Sequence, residues 1–499
     1  MDVDDCYTKV VGELGRYQLT IFCILNIFNV VLVPINLLVY FVGADPTKLA
    51  EVNFRVHNDS SIIHEWDLFD EKWISDLIQS LFYGGFLVGV ITFGQLSDRY
   101  GRRKILILGL YLLFPASLIT CFSTSWEMFA ACRFVSGFLY GGSGLVLYVY
   151  LQELVGRSWW AITGSITNTL FSFGIAYMVL IAYFVTPWRQ LVAILSVLQV
   201  IPLLSLWFIP ESPRWLYSHG RLVEAEEVLV KIARKNGVQD PVIALVKKPV
   251  EKSKSNHTLI DLLRNRITLK RVIIMSFIWF VSSLVYYSLT LAAGDLGSNL
   301  YLNELLSGLV ELPPQIWCLF LLNRKWAGRN RLLYSSYFIS GLACLGLLGF
   351  KHTDKSVGKT ILGLTGKMMI SSSFNTLYVY TPELFPTSVR NVGLGTASMC
   401  ARIGSILASF AKSAIEYNAI ASYCVFGALG VFAGVLTLLL PETVGKKPPD
   451  SFEDLEVKHS VPNYSILNQN PSSANSLDQE MLLSCEENEN ENEEEDVML

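Results

Sequence analysis

The chain contains 499 residues, of which 52% are hydrophobic and 16% are charged, and its formal net charge is −4. Soluble globular proteins carry about 25% charged residues, so this composition excludes a soluble protein and indicates a membrane protein. We therefore expect the lipid bilayer, and no nucleic acid, among its partners.

The first apolar run covers about residues 17–42 and follows an acidic start that reads MDVDD. A cleaved signal peptide begins with a basic region, so we expect this run to remain as a transmembrane helix. Eleven further apolar runs have about the 20 residues needed to cross the hydrocarbon layer. The twelve predicted spans are 17–42, 76–97, 104–123, 127–152, 158–184, 188–209, 271–293, 301–323, 331–350, 360–382, 392–413 and 418–440.

Basic residues in the short loops set the orientation of these spans, because Lys and Arg accumulate on the cytoplasmic side. The loops after predicted helices 2, 4, 8 and 10 contain ten Lys or Arg, whereas those after helices 3, 5, 7, 9 and 11 contain four. Twelve spans return both ends of the chain to one side. We therefore predict a multi-pass protein with both termini in the cytoplasm.

Two longer loops and a tail accompany the helices. Residues 44–75 are predicted to lie outside the cell and contain an Asn-x-Ser sequence, so we predict glycosylation of Asn58. Residues 210–270 form a cytoplasmic linker, in which Ser212 precedes a proline and indicates the start of a helix. Residues 442–499 contain fifteen acids and three lysines, and we expect this acidic cytoplasmic tail to be disordered.

Three loop motifs of the first half of the chain recur about 230 positions later. The matching residues are Gly101 and Gly328, Glu153 and Glu383, and Pro210 and Pro441. The repeat predicts two six-helix halves, residues 1–209 and 271–441, joined by the linker. Parallel six-helix halves are the build of the major facilitator superfamily, in which the substrate sits between the halves near the bilayer midplane. The predicted fold class is therefore an all-α membrane protein of this superfamily, with twelve transmembrane helices.

Specific motifs narrow this fold class to a family. Residues 94–103, GQLSDRYGRR, resemble the superfamily signature between helices 2 and 3, and residues 210–216, PESPRWL, resemble a motif shared by sugar porters and organic-ion transporters. Predicted helix 7 lacks the paired glutamines of sugar porters. Together with GLVELP at 308–313 and ARIGS at 401–405, it resembles solute carrier family 22, the organic cation, anion and carnitine transporters. The resemblance covers about residues 1–445, although the first outer loop lacks the family's cysteines.

Two ionisable residues fall near the bilayer midplane. Arg402 lies ten residues into predicted helix 11, about 15 Å deep, and Glu311 lies at a similar depth in predicted helix 8. Such residues cost at least about 2.5–3.5 kcal/mol on insertion, so they face a polar cavity or pair with each other. Arg402 then attracts a substrate carboxylate that Glu311 tunes, or the two form a structural salt bridge, or they serve conformational coupling alone. The resemblance implies an arginine here in the anion and carnitine branches, which favours carboxylate-bearing substrates.

Aromatic residues of predicted helix 7 complete the candidate binding site. Trp279, Tyr286 and Tyr287 have the spacing of one helical face, where their rings attract a cationic or quaternary ammonium group. The alternative is that they pack against lipid or neighbouring helices. The resemblance implies a cavity position for Tyr286 and Tyr287. Lys367 in predicted helix 10 is a weaker substrate-binding candidate, because its long side chain can extend towards the outer interface.

Charged residues of the cytoplasmic loops, together with an arginine and small residues in predicted helix 4, are candidates for gating. Asp98 can pair with Arg102 or cap helix 11, and Glu153 with Arg157 matches Glu383 with Arg390 in the other half. The alternative role of these charges is to set topology. The predicted gating residues are Asp98, Arg102, Arg133, Glu153, Arg157, Glu383 and Arg390.

Enzyme motifs are absent from the sequence. It contains no phosphate-binding GxxxxGK[ST] loop, no HExxH and no Cys-His metal spacing, so we predict a non-enzyme without metal or cofactor. The predicted function is transport of small organic zwitterions or ions, carnitine-like or ergothioneine-like, across the plasma membrane, by facilitated movement, by exchange, or coupled to Na⁺ or H⁺. The alternatives are transport of another solute class such as sugars, and a receptor or scaffold whose tail binds a cytoplasmic protein.

Overall fold

The computed structural model describes residues 1–44, 58–246, 259–292, 299–322, 324–350, 357–386, 389–446 and 449. Within these ranges all regular secondary structure is helical. The predicted acidic tail beyond residue 449 lies outside the described residues, as does most of the outer loop before Asn58. Asn58 begins the short turn Asn58–Ser60, and its glycosylation stays a prediction.

Twelve helical segments, labelled α1 to α12, correspond to the twelve predicted spans. They are α1 Arg16–Val42, α2 Trp73–Tyr100, α3 Arg102–Phe122, α4 Trp126–Glu153, α5 Arg157–Phe184, α6 Trp188–Phe208, α7 Arg266–Leu291, α8 Leu300–Leu309 with Leu312–Leu321, α9 Arg329–Phe350, α10 Val357–Glu383, α11 Arg390–Ala408 and α12 Ala411–Leu438. Nine of these segments in the described part of the chain are long and apolar enough to span a membrane, and α8, α10 and α11 complete the two six-helix halves.

The three remaining segments, α8, α10 and α11, are not both long and apolar enough to count as membrane spans, and each has an identifiable reason. α8 is interrupted at Val310 and Glu311, directly before Pro313 and Pro314, whose rings clash with carbonyl groups one turn earlier. α10 is long but contains a run of serines and the charged Lys367. α11 is short, and small residues and Arg402 lower its apolar content. Broken or polar helices of this kind are tolerated in a membrane where they border protein or a cavity.

The helices α2 and α4 of the first half approach each other through glycines. A Cβ atom added to Gly137 of α4 would lie 2.1 Å from the carbonyl oxygen of Phe82 in α2, and one added to Gly85 of α2 would lie 2.1 Å from that of Phe134. The two backbones are therefore in direct contact, which only small residues allow.

This contact predicts a selective loss of stability. Gly137→Ala should destabilise the protein by about 1–3 kcal/mol, because the backbone of α2 must move to admit the methyl group. Gly144→Ala in the same helix is the matched control, since a Cβ there meets no atom within 4 Å. Thermal unfolding of the purified variants measures the difference, and equal melting temperatures would contradict the close packing.

The linker packs beneath the first half of the bundle. The short helix Pro213–Ser218 begins at Ser212, whose hydroxyl accepts a hydrogen bond from the Trp215 amide at 3.2 Å. The Trp215 indole donates to the carbonyl oxygen of Asp98 at the end of α2, at 2.8 Å. The next helix, Leu222–Lys235, buries one apolar face, and its end contacts the N-terminal segment through Asn236. These contacts connect the linker to the cytoplasmic ends of the helices.

Candidate functional site

A cavity of about 220 Å³ lies between the two halves of the bundle, lined by residues of α1, α4, α5, α7, α8, α10 and α11. Four of the six predicted substrate-binding residues line it, namely Arg402, Glu311, Tyr286 and Tyr287. The structure therefore brings the predicted cation, acid and paired tyrosines to one internal space.

Arg402 of α11 faces this cavity. The central carbon of its guanidinium lies 4.2 Å from the centroid of the Phe86 ring of α2, a cation–π contact between the halves. Among the described residues no carboxylate oxygen lies within 4 Å of its nitrogens, so the salt bridge to Glu311 that the sequence left open is not formed. The side chain is partly exposed, and its charge remains available to an anionic group.

Glu311 pairs with Lys367 of α10 instead. The Lys367 Nζ lies 3.1 Å from Glu311 Oε1, and the two side chains are only 1% and 3% exposed. The same carboxylate accepts hydrogen bonds from the Tyr286 hydroxyl at 2.7 Å and from the Ser172 hydroxyl of α5 at 3.3 Å. The negative charge of Glu311 is thus compensated by Lys367 and two hydroxyl groups, which leaves Arg402 as the charged residue of the described cavity lining that has no ion-pair partner.

Two predicted substrate-binding residues lie outside the cavity lining. Lys367 does not extend towards the outer interface; it is buried against Glu311 and donates a hydrogen bond to Ser307, because the pair costs less than a lone ammonium in hydrocarbon. Trp279 lies about two turns from Tyr286 along α7 and donates to the Thr381 hydroxyl at 3.0 Å. Its ring packs edge-on against Tyr378 at 4.8 Å, so it supports the cavity wall from behind.

Aromatic and amide side chains that the sequence reasoning missed complete the lining. Phe374 lies 5.4 Å from the ring of Tyr286, and Tyr148 of α4 faces Tyr378 of α10 across the halves at 6.3 Å. The Gln315 Oε1 and Asn375 Nδ2 atoms are buried at the cavity without a hydrogen-bond partner in the described structure. Rings from both halves therefore line the cavity, and Gln315 and Asn375 add polar groups beside them.

Comparisons with known proteins agree with this architecture. The model of the "Sugar (and other) transporter" family matches residues 40–452. "Solute carrier family 22 member 15-like" of Xenopus tropicalis is 39% identical over 484 residues, which cover 94% of this chain and 98% of the relative. The chain belongs to solute carrier family 22. "Organic cation/carnitine transporter 2" of Homo sapiens is 33% identical over 79% of this chain and 72% of its own length.

Solved structures confirm the predicted fold. The inward-open xylose transporter XylE from E. coli matches 89% of this chain and 100% of its own with a TM-score of 0.65, at 16% identity. The predicted major facilitator fold is thus confirmed, and this member of solute carrier family 22 is a multi-pass secondary transporter of small organic solutes rather than an enzyme.

Four candidate gating residues of this family member, Asp98, Arg102, Glu153 and Glu383, belong to ion pairs, with one cluster in each half. In the first half Arg102 pairs with both Asp98 and Glu153, at 3.1 Å from the latter. In the second half Arg329 pairs with Glu383 at 3.1 Å. The two clusters occupy repeat-related positions.

The predicted partners Arg157 and Arg390 do not take part in these pairs. Arg157 pairs with Asp4 of the N-terminal segment, and no described carboxylate pairs with Arg390. α4 and α10 end at Glu153 and Glu383, so neither glutamate shares a continuous helix with its predicted arginine, which lies four residues later in the first half and seven in the second.

Arg133 of α4 lies inside the first half rather than at the interface between the halves. It is 1% exposed, and it donates to the Ile35 carbonyl oxygen at 2.7 Å and to Gln79 Oε1 at 3.3 Å. Its guanidinium carbon lies 4.2 Å from the Phe82 ring centroid. These contacts join α1, α2 and α4, so any gating effect of Arg133 acts through the rigidity of this half.

Proposed function

We propose that this transporter moves small organic zwitterions or ions, of the carnitine or ergothioneine type, across the plasma membrane by alternating access. The observation that carries the proposal is the uncompensated Arg402 in a cavity between the halves. A carboxylate beside it can accept charge-assisted hydrogen bonds from the guanidinium, and such bonds are about twice as strong as neutral ones.

The aromatic side chains of the cavity suit the cationic end of a zwitterion. The rings of Tyr286, Phe374 and Tyr378 line the same cavity, and such rings attract quaternary ammonium groups by their quadrupole. Glu311 does not add a free negative charge for a simple cation, because Lys367 neutralises it. The charges of Arg402, Glu311 and Lys367 together leave one net positive charge, which favours a substrate that carries a carboxylate.

Contacts between the halves support alternating access. Near one end of the bundle, which the predicted topology places outside, the Asp76 carboxylate of α2 accepts a hydrogen bond from the Ser413 amide of α12 at 3.3 Å. At the predicted cytoplasmic ends, the ion-pair clusters around Glu153 and Glu383 each remain within one half. We infer that rocking of the halves breaks the first contact and brings the second set together, as in other transporters with fixed midplane sites. Cytoplasmic placement of both termini belongs to the same proposal.

Uptake measurements test this function. We expect the purified protein in liposomes to take up labelled L-carnitine or ergothioneine in a saturable manner, and to favour them over tetraethylammonium, which lacks a carboxylate. A truncated chain ending at residue 445 should retain uptake at matched protein amounts, because the cavity lies entirely within the helices. Absence of saturable uptake of every zwitterion by the folded full-length protein would contradict the proposal.

A further inference from the structure

A second buried acid lies beside the cavity and takes no part in the proposed binding of substrate. Glu304 of α8 is 0% exposed, and in the part of the chain that the structure describes neither carboxylate oxygen has a donor in hydrogen-bond geometry. Burying an ionised carboxylate without a donor is so costly that the group takes up a proton instead. The sequence analysis did not single out this residue, because it falls near the start of predicted helix 8.

Among the described residues around Glu304, one cation acts on its carboxylate, and this cation is already paired. The groups that act on its carboxylate are Lys367 of α10, Glu311 of α8 and Tyr40 of α1. α5 also packs against this part of α8, and its stretch Trp160–Phe184 contains no charged residue. Lys367 is already bonded to Glu311 and Ser307, so it is not free to neutralise Glu304.

The positions of these residues connect a change of charge at Glu304 to the substrate cavity. Ser307 lies one turn after Glu304 on the same face of the first segment of α8, and Lys367 of α10 contacts both Ser307 and Glu311. Loss of a proton from Glu304 creates a second carboxylate that competes with Glu311 for Lys367. Glu311 in turn accepts the hydrogen bond of Tyr286, whose ring lines the cavity.

We propose that Glu304 is a proton-binding site coupled to the substrate cavity through Lys367, Glu311 and Tyr286. One proton from water adds to the carboxylate to give the neutral acid, and its release regenerates the carboxylate. A proton rather than a metal ion suits the site, because no group of three or more His, Cys, Asp or Glu side chains that could hold a metal occurs among the described residues. The inference deepens the proposed transport function and rests on it for the coupling step.

The pH dependence of stability tests proton binding without any substrate. Unfolding releases the proton of Glu304, so the melting temperature of the wild type should fall by about 1–2 °C per pH unit relative to Glu304→Gln as pH rises from about 6 to about 8. Glutamine reproduces the neutral acid, so this variant should fold. The matched control is Glu127→Gln, which removes an exposed acid at the start of α4 and should keep the wild-type profile.

Uptake of labelled L-carnitine by the same three proteins then tests coupling. We expect wild type and Glu127→Gln to change their uptake rate by at least about threefold between pH 6 and 8, and Glu304→Gln to respond less than half as much. Parallel stability profiles of wild type and Glu304→Gln would overturn the proton site. A stability difference with identical uptake profiles would overturn the coupling, and absence of all uptake would reject the transport proposal while leaving the stability result to decide the proton site.

Discussion

Arg402→Ala should abolish most uptake of carboxylate-bearing substrates while the protein remains folded and at the membrane. Removing one partner of a desolvated charge pair costs about 2–5 kcal/mol, which corresponds to a loss of about 30-fold or more in apparent affinity. Because Arg402 makes no ion pair with a described residue, its removal leaves no buried carboxylate unpaired. The expected defect is therefore in binding and not in folding.

Two comparisons separate this effect from a general defect. Arg402→Lys keeps the charge but loses the planar guanidinium, whose N–H donors can bind a carboxylate bidentately. This variant should therefore show more uptake than Arg402→Ala and less than wild type. Any residual uptake of tetraethylammonium should be unchanged or increased by Arg402→Ala, because a repulsive charge has been removed. Initial rates at matched surface amounts, measured over a range of substrate concentrations, give the result. Equal losses for all substrates would assign Arg402 a structural role.

Lys367→Met should be the most damaging substitution near the site. It leaves Glu311 buried without its cation, and breaking a buried ion pair by removing one partner costs about 3–5 kcal/mol. We expect a large drop in the melting temperature and in surface expression.

The double variant Lys367→Met with Glu311→Gln should recover much of that stability, because no charge of the pair remains and the amide oxygen of the introduced glutamine can still accept a hydrogen bond from the Tyr286 hydroxyl. Replacing a buried pair by neutral groups is often close to neutral in stability. Additive losses in the double variant, measured by thermal unfolding, would show that Lys367 and Glu311 do not stabilise each other.

The sequence predicted the existence of the site better than its internal pairing. The insertion cost of ionisable residues is enough to place Arg402 and Glu311 in a protein-lined interior. The choice of partner depends on which helix faces which, and a single sequence contains no signal that Lys367 of α10 approaches Glu311 more closely than Arg402 does. The structural salt bridge and the extended Lys367 were both reasonable from depth alone.

The partners of the candidate gating residues could not be predicted without knowing where each helix ends. A spacing of four residues between Glu153 and Arg157 indicates a pair only if the helix continues, and α4 ends at Glu153. The long-range partner Arg102 comes from the next-but-one loop in sequence and could not be found by spacing. Tyr148 and Tyr378 were missed for a similar reason, since aromatic residues in apolar runs look the same whether they face lipid or a cavity.

A thermodynamic cycle that removes the charge of Arg402 and the carboxylate charge of the ligand, separately and together, tests most directly whether the two groups interact. Equilibrium binding of L-carnitine and of its methyl ester, which lacks the negative charge, is measured to purified wild type and to Arg402→Ala. If Arg402 binds the carboxylate, wild type should prefer the zwitterion by at least about tenfold, or 1.4 kcal/mol, and the variant should bind both ligands alike. The same preference in both proteins would contradict the assignment of Arg402 as the carboxylate-binding residue.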